Sequence, residues 1–190
     1  MLLCFNPAPQ TAFAIGYWFG FGHFGIGFSW AANALLVDSQ TYGWLYPVCI
    51  LSAGAFFGLF TALPALLTAW FRTLISKLFA LAGLWTASEW LRSFVLTGFP
   101  WNLLGSALTF RPEYFQTVSI WGTYGLTLVL LLWSMAPALF FFPGSKYCRP
   151  VAAGLLIALP VFVAGFGYAR INILNPGFVR PGITVRMVQP

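Results

Sequence analysis

The sequence predicts an all-α membrane protein, a bundle of about five transmembrane helices that ends in a lone β-strand of an extramembrane domain. Three observations predict it. Charged residues make up 6% of the 190 positions and hydrophobic ones 60%, where a soluble domain typically carries about a quarter charged residues; mean hydropathy is +0.85. The apolar residues fall in runs of roughly twenty or more between short polar turns, which is the length a bilayer demands. After the last run the chain meets two breaker pairs and becomes rich in β-branched residues. The formal charge of +6 comes from scattered Lys and Arg without a basic cluster, which excludes nucleic-acid binding as a reading.

Residues 1–11 are a short N-terminal segment with two prolines and no basic region ahead of an apolar core, so they do not read as a secretory signal. Residues 12–170 form the transmembrane domain. Its first span is 12–37, where Gly16, Gly20, His23 and Gly27 share one helix face; that face can approach another helix closely, with His23 pointing into the contact. A short polar turn over 38–43 leads to a second span at 44–71, which carries a second small-residue pair, Gly54 and Gly58, and a kink at Pro64. Arg72 and Lys77 bracket the next turn. A third span, 78–96, gives way to a loop over 97–113 that is apolar enough to lie on the membrane surface. The fourth span is 115–142, the turn at 143–150 carries Lys146 and Arg149, and the fifth span is 151–169.

Basic residues set the expected orientation. The Arg72/Lys77 and Lys146/Arg149 turns hold two bases each and no acid, whereas the turn at Asp38 has no base and the 97–113 loop balances Arg111 against Glu113. The positive-inside rule then places both basic turns in the cytoplasm. The N-terminus is cytoplasmic, and the Trp101 loop and the C-terminus are periplasmic.

The densest polar chemistry lies in Glu89-Trp90-Leu91-Arg92 and the following Leu96-Thr97-Gly98-Phe99-Pro100-Trp101-Asn102. Glu89 and Arg92, three residues apart on a helix, can partly neutralise each other where neither could enter hydrocarbon alone. Pro100 biases Phe99 away from helical angles and Gly98 tolerates angles others do not, so the helix should stop before Gly98. Trp101 follows at the depth where amphipathic rings settle. Phe99, Trp101 and Leu103 can hold acyl chains while Arg92 or Arg111 meets a phosphate. Each residue also has a plainer reading. Trp101 and Trp30 serve equally as interfacial anchors, Glu89 and Arg92 as a structural ion pair, His23 as a helix–helix hydrogen-bond partner, and the glycine pairs as packing devices.

Cys4, Cys49 and Cys148 show no metal-ligand spacing, and their odd number leaves any disulfide scheme incomplete. No metal site and no cofactor is expected. In the tail, Asn175-Pro176-Gly177 and Pro181-Gly182 precede Ile183-Thr184-Val185-Arg186-Met187-Val188-Gln189-Pro190, which reads as the first strand of an extramembrane domain. A lone strand cannot satisfy its edges, so its remaining partners are expected outside this polypeptide.

The EWLR run coupled to TGFPW, the earlier Gly20-Phe21-Gly22 with Trp30, and the terminal VRMVQP resemble the apolipoprotein N-acyltransferases, bacterial inner-membrane enzymes. The resemblance implies eight membrane helices and a periplasmic nitrilase-like domain inserted before the last. It implies transfer of an acyl chain from a phospholipid to the N-terminal diacylglyceryl-cysteine of an apolipoprotein, through a thioester on a cysteine helped by a glutamate and a lysine. On that alignment this sequence begins near the third helix and ends at the first strand of the nitrilase-like domain in 171–190, so the Glu-Lys-Cys triad lies beyond Pro190. No catalytic residue is expected here. The residues carried over are lipid-binding: Trp101, Phe99, Pro100, Gly98, Asn102, Arg92, Glu89 and Trp30. Implied partners are the phospholipid acyl donor, the diacylated apolipoprotein, membrane lipids and a separate nitrilase-like chain. Two alternatives remain open from the residues themselves: a transporter or channel subunit, since buried ionisable groups often line pathways, and an inactive remnant or scaffold of a split gene.

Overall fold

The apolar runs become five long helices in the computed structural model, which describes residues 7–95, 98, 100–142 and 144–174, with no strand among the described residues. The expected terminal strand at 183–190 lies outside them, as do Leu96, Thr97 and Phe99. Helix α1 is Pro9–Gly27, α2 is Leu45–Trp70, α3 is Leu74–Arg92, α4 is Val118–Phe141 and α5 is Cys148–Ile173. By length and composition α2, α4 and α5 are long and apolar enough to cross a membrane. Their surroundings agree: Trp18, Ile26, Trp70, Phe141, Ile157 and Val161 are all at least 65% exposed, an apolar exterior that water would not tolerate and lipid would.

The helices hold together by two kinds of contact. Small residues let α1 and α2 touch backbone to backbone. A Cβ added to Gly16 would lie 2.5 Å from Ala65 Cβ, one on Gly20 would collide with Thr61 Oγ1, and one on Gly54 would lie 2.7 Å from the Phe21 carbonyl. The expected Gly16/Gly20 and Gly54/Gly58 packing faces are therefore the same contact seen from its two sides. In the space they leave, the Thr61 hydroxyl lies 2.7 Å from the Gly16 carbonyl and 2.9 Å from that of Gly58. Bulky side chains hold the remainder: Ala82, Trp85 and Leu131 join α3 to α4, Leu78, Leu139, Cys148 and Ala152 join α3, α4 and α5, and Leu108, Leu126, Val129 and Val163 fasten the loop and α5 to α4.

Pro64 sits buried inside α2 and cannot donate an N–H to the carbonyl of Phe60, four residues back. The Ser88 hydroxyl of α3 donates to that carbonyl at 2.6 Å. In a dry interior a freed backbone acceptor needs such a substitute, so one proline and one serine from different helices form a single device.

Four departures from the sequence expectation bear on the site and its surroundings. The first span is interrupted: α1 ends at Gly27, and the chain continues as a short helix, Ser29–Ala32, and a 3-10 turn, Asn33–Leu36. Lys77 does not bracket a turn but lies in the first turn of α3, 6% exposed. The cause is Thr73, whose side-chain oxygen accepts from the Ser76 N–H at 3.1 Å and starts the helix four residues before the expected 78. The helix also ends earlier than expected, at Arg92, and thus before Gly98 as Pro100 requires. Finally, α4 is not smooth, because Gly122 adopts φ +70°, which only glycine takes without strain.

Candidate functional site

The end of the bundle where α1 and α3 finish gathers most of the residues singled out in the sequence. Trp30, just past α1, and Trp101, in the loop after α3, have ring centroids 5.7 Å apart. Both remain more than half exposed. Asn102 adopts φ +54°, outside the usual range for a side-chain-bearing residue, and its amide nitrogen lies 3.5 Å from His23 Nε2. A Cβ on Gly27 would collide with that amide. Gly27 therefore serves the loop, and the partner of His23 is a loop amide in place of the expected second helix. Gly98, at φ +87°, packs so closely on the Ser93 carbonyl that no other residue fits. Pro100 is exposed, and Phe99 lies outside the described residues.

Glu89 fixes the far side of this loop. Its side chain is 4% exposed and accepts three hydrogen bonds: from Trp85 Nε1 at 3.2 Å, from the Leu104 N–H at 2.9 Å, and from the Thr127 hydroxyl at 2.6 Å. The Gly105 N–H in turn donates to Thr127 Oγ1 at 3.0 Å. These bonds satisfy the first backbone donors of the 3-10 segment Leu104–Phe110 and tie it to α3 and α4. With three donors on its two oxygens, the buried side chain has its hydrogen-bonding capacity met.

Arg92, one turn on, is settled in another way. Its guanidinium carbon stands 4.8 Å from the centroid of Phe24 and 5.8 Å from that of Phe57, and Phe28 packs on both rings. It is 1% exposed, and Nε, Nη1 and Nη2 have no hydrogen-bond partner among the described residues. The expected Glu89–Arg92 ion pair does not form. Three donors hold the carboxylate toward α4, whereas the guanidinium lies over the aromatic faces of α1 and α2.

Sequence reasoning missed Thr127, Trp85, Phe24 and Phe57. Trp85 could have been found, because it stands four residues before Glu89 and so lies on the same helical face. Thr127 carries no such signal, being one hydroxyl in a long apolar run. Arg111 is exposed. No group of three or more His, Cys, Asp or Glu that could hold a metal occurs among the described residues.

Residues 1–136 match the profile of the apolipoprotein N-acyltransferase N-terminal domain. The chain belongs to the apolipoprotein N-acyltransferase family. It is 39% identical over 188 residues to the apolipoprotein N-acyltransferase of Rhodopseudomonas palustris, covering 96% of this chain and 34% of that protein. The Brucella suis apolipoprotein N-acyltransferase is 37% identical over 182 residues, 93% of this chain and 33% of that protein. That of Rhizobium meliloti is 38% identical over 183 residues, again 93% and 33%. The chain thus spans about a third of the length of these curated relatives, and the match to the apolipoprotein N-acyltransferase profile takes in every part of the site, from His23 to Thr127.

Proposed function

We propose that this chain is the membrane part of an apolipoprotein N-acyltransferase, an enzyme that moves an acyl chain from a phospholipid to the N-terminal diacylglyceryl-cysteine of a lipoprotein in lipoprotein maturation. Within it, the Trp30/Trp101 end admits and orients lipid, and the acyl-thioester chemistry belongs to a nitrilase-like region with its own Glu, Lys and Cys. On this reading α1 and α3, each 19 residues and so about 28 Å long, also cross the membrane, making five spans. The end of the bundle that carries Arg72, Lys77, Lys146 and Arg149 faces the cytoplasm of a bacterial inner membrane, and the Trp101 loop faces the periplasm.

One observation carries the proposal. Trp101 is presented by a loop clasped at both ends, to Trp30 and His23 on one side and to Glu89 on the other, yet it stays 56% exposed. A rigidly held aromatic at the membrane surface is a preorganised apolar contact for an incoming chain, because its ordering cost is met before the lipid arrives. Arg92 supports the same reading: a buried cation without hydrogen bonds among the described residues, a turn below this surface, draws a phosphate toward it.

The test is Trp101→Ala in a complete enzyme carrying this membrane part, with acyl transfer to a diacylated lipopeptide measured against phospholipid concentration. A fall in rate with a weakened lipid dependence is expected. If both stay as they were, the lipid-entry role is wrong. Expressed without a nitrilase-like region, the 190-residue chain should show no turnover.

A further inference from the structure

A cavity of about 470 Å³ lies at the end of the bundle opposite the Trp101 loop, where α2 and α4 finish and α3 begins. Its size falls within the roughly 300–1,000 Å³ typical of ligand pockets. Leu74, Lys77, Leu78 and Leu81 share one face of α3 and form one wall, and the end of α4 forms the other. On α4 the small residues Ser134 and Ala138, one turn apart, leave the space that larger side chains would take. Three polar side chains reach the wall, and each is already engaged. The Thr68 hydroxyl donates to the Ala65 carbonyl at 2.6 Å, the Ser134 hydroxyl donates to the Leu131 carbonyl at 3.2 Å, and Lys77 has its own partner within the protein. A polar group placed here would be buried without a hydrogen bond from these side chains, so the wall suits hydrocarbon.

Position and length say which hydrocarbon. From Leu74 to Leu81 the wall runs about 10 Å along α3, most of one leaflet's hydrocarbon depth of about 15 Å. Trp70, two residues beyond Thr68, is 66% exposed and stands as an indole anchor where hydrocarbon meets headgroup. Phe141 of the wall is 72% exposed and Ser134 is exposed as well, so the chamber opens sideways to lipid. We propose that this chamber holds one acyl chain of a bilayer phospholipid, inserted from the headgroup level beside Trp70 toward the middle of the membrane, and holds it whatever the headgroup. The chamber is remote from the Trp101 loop, and its occupancy does not depend on the acyl-transfer reading of that end.

The 190-residue chain in dioleoyl phosphatidylcholine vesicles, doped with a phosphatidylcholine that carries a diazirine on its acyl chain, tests it. The vesicles are dissolved in dodecyl maltoside before irradiation, and the adducts are mapped by peptide mass spectrometry. Adducts at Leu81, Ser134 and Met135 should then exceed those at Ile157, an exposed α5 residue, by at least about fivefold, because a held chain outlasts lipid that merely coats the surface. Unlabelled phosphatidylglycerol and phosphatidylcholine of the same chains should compete equally. Ala138→Phe, which fills the chamber, and Ser134→Leu, at an exposed position, should each lower the chamber adducts and leave Ile157 unchanged, with circular dichroism confirming helicity. Native mass spectrometry of the wild-type sample should show one intact phospholipid retained. Adducts no stronger in the chamber than at Ile157 overturn the proposal, whatever the variants do. So do competition that depends on headgroup, retention of a free fatty acid in place of a phospholipid, or protection of the chamber in a complete enzyme, which would assign the space to another segment of the longer protein.

Discussion

Glu89 and Arg92 stand three residues apart on α3, are equally hidden, and live in opposite surroundings. The acid has every reason to stay where it is, with three donors converging on two oxygens. The base has a bed of aromatic faces and no hydrogen bond among the described residues. Burying a charge costs several kcal/mol unless its bonding capacity is met. One side of α3 thus carries a structural clamp and the other a group that is costly to bury, to which the proposed function gives a lipid-facing role. Separating these two roles is the most direct way to challenge the arrangement.

Glu89→Ala should have the largest effect. It strands the Trp85 indole, the Leu104 N–H and the Thr127 hydroxyl, and hydrogen bonds to a charged group are worth about 1.5–3 kcal/mol each, so a loss of about 4 kcal/mol is expected in reversible unfolding from mixed micelles. Glu89→Gln keeps acceptors for two of the donors and should lose less than half as much. A small effect from both would mean that the clamp is not what fixes the loop.

Gly20→Val comes next. The new side chain enters the space of Thr61 Oγ1 and separates α1 from α2, and overpacking of this kind costs about 1–3 kcal/mol. The matching control is Gly83→Val, because nothing lies within 4 Å of a Cβ there. Equal losses at the two glycines would remove the packing argument.

Ser88→Ala should be weaker still. Interhelical hydrogen bonds inside membranes average about 0.6 kcal/mol, and the Phe60 carbonyl would then stand without its donor. The informative comparison is the double variant with Pro64→Ala, which restores a backbone donor to that carbonyl. The serine should matter little once the proline is gone, and simple additivity of the two changes would contradict their pairing.

Much of this could be read from the residues, and the parts that could not share a cause. Periodicity exposes whatever is local: the glycine faces of α1 and α2, the stop before Gly98, the apolar lengths of α2, α4 and α5. The Thr73 cap was legible too, yet the weight of the apolar run from 78 pulled the helix start past it and left Lys77 in a turn it does not occupy. Contacts across the chain leave no such trace. Trp30 meets Trp101, Asn102 meets His23 and Thr127 meets Glu89 only once the helices are placed, and the acid–base spacing on α3 predicted a pair that tertiary donors and aromatic rings then pulled apart.

Arg92→Met should move stability least, and by its sign it separates the two roles most cleanly. The change removes a buried charge and keeps an unbranched chain of similar length between Phe24 and Phe57, where a thioether also packs well against aromatic rings. Replacing buried ionic groups with well-packed apolar ones is often neutral or stabilising, and Glu89 keeps its three hydrogen bonds because none of them comes from Arg92. The 190-residue chain should therefore melt at the same temperature or slightly higher. In a complete enzyme the same substitution should still reduce acyl transfer, since the phosphate would lose its cation, and Arg92→Lys should recover part of the rate by restoring charge without the planar donors. A marked drop in melting temperature would place Arg92 with Glu89 as scaffold, and full activity in Arg92→Met would leave its burial without a functional reason.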